Sequence, residues 1–179
     1  MLILVEGTDC SGKSTLIKRF QDICHLNVFK NPIKPTAGLQ ERGFVNGTYF
    51  GAYNSAKLLR DDLIFDRSHI TELVYAKIKR GYEPEKDFWN KWEEENSHYV
   101  VVVYVTASLD VLKERMKARG EDYISEEESV LITEAYDEYI KTSKLSTIFV
   151  DGTVSPQRMV TQLVIQLQNL GFWSSTRYR

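Results

Sequence analysis

The sequence predicts a three-layer α/β/α sandwich on a five-stranded parallel sheet, and three observations lead there. Short apolar runs alternate with longer amphipathic stretches, the pattern of a parallel sheet covered by helices. The run Tyr99 to Val105 is apolar or aromatic throughout, as suits a strand buried on both faces. A glycine-rich turn, Gly7 to Gly12, joins the first apolar run to the first amphipathic one, as where a strand turns directly into a helix N-terminus.

The elements follow in order. Leu2-Ile3-Leu4-Val5 is the first strand, and the amphipathic stretch 13–24 the first helix. The weaker apolar run 26–29 gives the second strand. Residues 31–46 carry Pro32, Pro35, Gly38 and Gly43, which predicts loop plus a short helix. A helix over 48–60 leads to the third strand at 63–65, and helices over 70–79 and 85–95 lead to the fourth at 99–105. Asp110 is expected to cap a helix over 109–118, and Ser125 with Glu128 forms a capping box for one over 126–144. The fifth strand lies at 147–150, and Ser155-Pro156 opens a last helix to 170. Residues 173–179 show no period and are expected to fray.

The bulk properties narrow the function. The 179 residues fit one domain, 1–179. A net charge of −2 gives no global field for polyanions and argues against duplex nucleic acid as a partner. No apolar run reaches the roughly 20 residues of a membrane span, and Met1 leads straight into a strand, leaving no room for a leader. The expectation is a cytoplasmic protein with no membrane contact and with Cys10 and Cys24 reduced. No Cys/His cluster suggests zinc.

The strongest motif is Gly7-Thr8-Asp9-Cys10-Ser11-Gly12-Lys13-Ser14-Thr15, which matches G-x-x-x-x-G-K-[ST] between a strand and a helix. Such a loop turns backbone N–H groups around a phosphate at a helix N-terminus. Lys13 would bridge the β- and γ-phosphates, and Ser14 would offer its hydroxyl to Mg²⁺. ATP with Mg²⁺ is therefore the expected cofactor pair, on a fold like that of the P-loop nucleoside triphosphate hydrolases with a short lid. Cys10 reads as a small residue that fits the loop or as a reactive thiol. Asp66 and Arg67 end the third strand, where open parallel sheets bind ligands. Asp66 would hold the metal through water and Arg67 would grip a phosphate.

Glu6-Gly7-Thr8-Asp9 with Gly12-Lys13-Ser14-Thr15 resembles the E-G-x-D-x-x-G-K-[ST]-T opening of thymidylate kinases. The run Asp66 to Tyr75 resembles their D-R-Y-x-x-S-x-x-A-Y segment. The resemblance implies a small-molecule nucleotide acceptor and, on family habit alone, a homodimer. It implies that Asp9 helps place the acceptor's sugar, that Arg67 holds its phosphate, and that Thr71 and Tyr75 stand at the positions beside the base. Asp9 reads alternatively as an Asx-turn stabiliser. Lys30-Asn31-Pro32 stands where that family has R-E-P, and Phe50 with Asn54 keeps the spacing of its base-binding F-x-x-x-R pair without the arginine. Phe50 is thus a stacking residue or core, within an acceptor region at about 30–60. Ser68 replaces the expected tyrosine, and Asp66-Arg67-Ser68 also looks like the [ED]-R-S of deoxynucleoside kinases.

Two acceptors stay open. A nucleoside 5′-hydroxyl needs a base, and Asn31 stands where nucleoside kinases place a glutamate, although Asp9 or Glu41 could substitute. The leading expectation is a deoxynucleoside monophosphate kinase acting on dTMP or a close relative; the alternative is a deoxynucleoside kinase. Arg115 and Arg119, with Lys117 between them and Gly120 after, resemble the R-x-x-x-R-G entry to a nucleotide-kinase lid, here at about 115–127. They would supply positive charge to the transferring group. Asp151-Gly152-Thr153 resembles the loop that reads adenine. A GTPase would need N-K-x-D, which Asn90-Lys91-Trp92-Glu93 lacks.

Overall fold

The computed structural model describes residues 1–31, 39–120 and 125–173. In chain order the elements are β1 (Leu2–Glu6), α1 (Lys13–Cys24), β2 (Asn27–Lys30), α2 (Leu39–Leu59), β3 (Leu63–Asp66), α3 (His69–Arg80), α4 (Lys86–Asn96), β4 (Val100–Thr106), α5 (Leu109–Arg119), α6 (Glu126–Thr142), β5 (Ser146–Asp151) and α7 (Pro156–Asn169). The strands pair in parallel in the order β2-β3-β1-β4-β5. The expected α/β/α sandwich is therefore the observed one.

Strand alternation divides the core. Leu2 and Leu4 join Phe65, Val100, Val102 and Tyr104 against α2 to α6. Ile3 and Val5 join Ile64, Val101, Val103 and Ile148 against α1 and α7. β1 thus lies at the centre with every residue buried. Its C-terminal end, flanked by β3 and β4, is where the glycine-rich loop begins.

Three local expectations change. Helix α2 starts at Leu39 and runs unbroken through Gly43 and Gly47, where loop plus a short helix was expected before a separate helix over 48–60. Buried Val45, Tyr49, Tyr53 and Ala56 fall on one helical face against the sheet. That burial outweighs a helix cost of about 1 kcal/mol per glycine. At α5 the N-cap is Ser108, and Asp110 lies in the first turn, where its charge still complements the dipole. Trp173 packs on Phe20 with ring centroids 5.3 Å apart; residues 174–179 lie outside the described residues. The Ser125–Glu128 capping box is present, and Cys10 and Cys24 are free thiols. No helix among the described residues is long and apolar enough to cross a membrane.

Helices α2, α3, α4 and α6 meet at a buried polar hub. Glu93 accepts from Tyr139 Oη at 2.6 Å, Ser143 Oγ at 2.7 Å and the Lys144 N–H at 3.0 Å. His69 Nε2 lies 3.2 Å from Glu93, and its Nδ1 lies 3.0 Å from Tyr53 Oη. Burial pushes the Glu93 carboxyl up, but these partners outweigh it and hold it below its ordinary value. His69 is thus a structural polar residue. Glu93→Ala should leave the three donors of Tyr139, Ser143 and Lys144 unpaired, at about 1–3 kcal/mol each. We expect a loss of at least about 3 kcal/mol, read as a lower denaturation midpoint at unchanged m-value.

Candidate active site

Three strand ends converge to shape the phosphate loop. Gly7 has φ 139°, and a Cβ there would meet Val105 O at 2.3 Å. Gly152, after β5, presses on the loop so closely that a Cβ would lie 1.8 Å from Ser11 O. Gly12, at φ 108°, sits at the N-cap of α1. Lys13 is buried and donates to Gly7 O at 2.8 Å and Thr8 O at 2.6 Å. Burial, and after it the nearby Arg67 charge, lowers its amine to about 7. Cys10 adopts φ 63°, and its carbonyl accepts from Arg115 Nη1 at 3.0 Å.

A cavity of about 200 Å³ opens at this point, lined by Asp9, Cys10 and Gly12 to Thr15 of the loop together with Lys30, Asp66, Arg67 and Arg119. Lys30 Nζ pairs with Asp66 Oδ2 at 3.0 Å. Arg67 pairs with Asp9 Oδ1, and Tyr75 Oη donates to Asp9 Oδ2 at 3.2 Å. Asp9 therefore faces the third strand and is not turned back on its own loop. Arg67 takes the left-handed φ of 71°, its N–H donates to Val5 O at 3.1 Å, and its guanidinium lies 5.3 Å from the Tyr75 ring centre.

Other expected site residues point elsewhere. The Thr71 hydroxyl turns inward to Glu6 Oε2 at 2.6 Å and away from an acceptor base. The Phe50 ring packs on Phe88 with centroids 5.6 Å apart, and neither Phe50 nor Asn54 lines the cavity. Tyr49 of α2 lies within reach of Glu6, Asn31 and Arg67. Its phenol is pushed up by burial first and then by Glu6.

On the lid side, Arg115 Nη2 donates to Gly152 O at 2.9 Å, so with its bond to Cys10 it clamps the phosphate loop. Arg119 lines the cavity, and Gly120 ends α5 in a left-handed cap. Lys113 pairs with Glu126 at 2.8 Å, joining α5 to α6; residues 121–124 of the expected lid lie outside the described residues, as do 32–38 of the acceptor region. Asp151 Oδ1 accepts from the Thr153 N–H at 2.8 Å and its hydroxyl at 2.6 Å, so the carboxylate stabilises its own turn.

Sequence reasoning missed Glu6, Tyr49 and Tyr136. Glu6 was visible at the head of the glycine motif, without a role. Tyr136 donates to it at 2.9 Å from 130 residues away, a contact no local pattern signals.

The site has relatives. The SPβ prophage-derived protein YorR of Bacillus subtilis (strain 168) is 30% identical over 148 residues, covering 82% of this chain and 86% of YorR. The chain belongs to the YorR family. The crystal structure of YorR with phosphorylated GDP superposes on this family member with a TM-score of 0.74 at 26% identity, covering 94% and 98% of the two chains. Deoxyadenosine kinase from M. mycoides with bound dATP has the same fold: TM-score 0.71 and 19% identity over 94% and 100% of the chains. No model of a known protein family matches the sequence. The resemblance to thymidylate kinases is thereby corrected, since the neighbours are YorR and a deoxynucleoside kinase. The residue that departs from the thymidylate-kinase segment is Ser68, whose side chain caps α3 by accepting from the Ile70 N–H at 3.1 Å. Ser68 is fully buried.

The loop fits a nucleoside triphosphate. The Ser11 hydroxyl is buried without a hydrogen-bond partner, and the glycines hold the backbone where any Cβ would collide. For Mg²⁺ the cavity offers the Ser14 hydroxyl and Asp66, which suits an ion that keeps most of its waters. Among the described residues no acidic or His/Cys cluster could hold a metal by itself.

A triphosphate against Lys13 should return its amine to the charged form. Below about pH 7 the free protein already carries that proton. Above it, binding must draw the proton from solution, so affinity should fall as pH rises. At about pH 8.5 we expect uptake of roughly one proton per ATP, measured calorimetrically in buffers of different ionisation enthalpy. Lys13→Gln should abolish that uptake; equal uptake in both proteins would place the proton elsewhere.

Proposed function

We propose that the chain is an ATP-dependent kinase that transfers the γ-phosphoryl group to the 5′-hydroxyl of a deoxynucleoside. The observation that carries this reading is the pair that Asp9, in the phosphate loop, makes with Arg67 at the end of β3, both lining the cavity. It brings a carboxylate and a guanidinium together beside Lys13. The fold shared with deoxyadenosine kinase and the Asp66-Arg67-Ser68 sequence support the same acceptor class.

The roles follow from the chemistry. Lys13 leaves the loop carbonyls to meet the β- and γ-phosphates, while Arg119 faces the transferring group. Ser14 and Asp66 would hold a Mg²⁺ ion, which would supply positive charge to the phosphates. The acceptor hydroxyl must lose a proton, and Asn31 cannot take it. Asp9 can, because among the described residues Oδ2 accepts only the hydrogen bond from Tyr75. Arg67 then stabilises charge on the acceptor side of the transfer.

One observation favours a second reading, a deoxynucleoside monophosphate acceptor. Arg67 Nη1 is buried without a hydrogen-bond partner, a donor suited to a phosphate oxygen. Such an acceptor is already anionic and needs no base.

Asp9→Asn separates the two. With a panel of deoxynucleosides and their monophosphates, ATP and Mg²⁺, the wild type should phosphorylate a deoxynucleoside best. The variant should lose on the order of 10²–10⁴ in kcat on it. Preference for the monophosphate, with Asp9→Asn changing KM more than kcat, would establish the second reading.

A further inference from the structure

Glu6 has no part in the transfer described above, yet its carboxylate is fully buried beside the site. Its partners are hydroxyls. Oε1 accepts from Ser68 Oγ at 2.5 Å, and Oε2 accepts from Thr71 Oγ1 at 2.6 Å and Tyr136 Oη at 2.9 Å. Among the described residues no ion pair includes it. A buried carboxylate is costly unless hydrogen bonds replace its water, so three hydroxyls from α6 and the start of α3 form a built arrangement.

What this arrangement holds is the β3–α3 turn. Ser68 follows Arg67 directly, and its Oγ both donates to Glu6 and caps α3 at the Ile70 N–H. Arg67 sits in a left-handed conformation that side chains other than glycine's rarely adopt. Two attachments to the end of β1 keep it there: its own N–H on Val5 O, and the next residue's hydroxyl on Glu6. The left-handed turn aims the guanidinium across the cavity at Asp9. Tyr136 is fully buried and does not line the cavity. Its hydroxyl lies 3.0 Å from Thr71 Oγ1, so it closes the network from behind.

We propose that Glu6 is the positioning residue of the acceptor subsite. Through Ser68, Thr71 and Tyr136 it fixes the direction of Arg67 and of the first turn of α3, and so sets affinity for the acceptor without touching it. The proposal rests on the reading in which Arg67 meets the acceptor.

Steady-state kinetics with the panel's best acceptor test it. Glu6→Gln keeps the shape but turns an amide donor toward a hydroxyl that needs an acceptor. It should raise the acceptor KM on the order of tenfold and leave the ATP KM within about twofold. Tyr136→Phe removes one distant donor and should shift the acceptor KM the same way by about threefold. Because both act through one network, the double variant should match Glu6→Gln alone. A carboxylate that serves packing only would move both KM values together or neither, and additive single effects would separate Tyr136 from Glu6; either result overturns the proposal. If Glu6→Gln does not fold, Tyr136→Phe carries the same test, and an unshifted acceptor KM refutes it. A wild type that phosphorylates no acceptor overturns the kinase reading and this proposal with it. An active wild type with unshifted variants overturns this proposal alone.

Discussion

Backbone-to-backbone contact at the sheet's C-terminal edge is the constraint on which the site depends. Gly7 abuts the Val105 carbonyl, and Gly152 abuts Ser11. The Gly152 N–H donates to Thr106 O at 2.7 Å. Arg115 then spans the carbonyls of Cys10 and Gly152. The ends of β1, β4 and β5 are thus locked backbone to backbone, with the Arg115 guanidinium bridging loop and β5 end, and the loop keeps its shape before any anion arrives. The parallel sheet makes this possible, because every strand ends on the same edge.

Charge at that edge is balanced in pairs. Asp9 meets Arg67, and Asp66 meets Lys30, while Lys13 rests on neutral carbonyls with its own charge weakened by burial. A ligand phosphate would exchange these internal partners for itself. Pairs at the protein surface are worth little in water, so the exchange costs little at exposed Lys30, while at the partly buried Asp9 and Arg67 a new partner must replace the old one where water is largely excluded.

What was legible in the sequence followed from local spacing. Helix α1 runs over the expected residues, and the strands match to within one or two positions. Asp9, Cys10 and Gly12 to Thr15 line one cavity with Asp66 and Arg67, because strand ends and a contiguous motif fix their position. Side-chain direction on α2 and α3 was not legible. Whether Phe50 or Tyr49 faces the site depends on how α2 rolls against the sheet, and the buried stripe from Val45 to Ala56 decides that only in three dimensions. Thr71 likewise turned to Glu6 because a buried acid needed it. The thymidylate-kinase resemblance was favoured because Asn31 offers no base and Asp66 and Arg67 suit both kinds of enzyme, although Ser68 already matched the [ED]-R-S of deoxynucleoside kinases; the hydroxyl's partners in space explain that serine.

The shared hydroxyl at Ser68 also bears on how such a protein can diverge. Position 68 answers at once to the helix it caps and to the acid at position 6, and that acid answers to positions 71 and 136. A larger residue at 68 evicts one oxygen of Glu6 from its partner, and a neutral residue at 6 strands three hydroxyls. Drift at any of the four is therefore closed off singly and open only in concert. Lineages that changed one should carry compensating changes at the others.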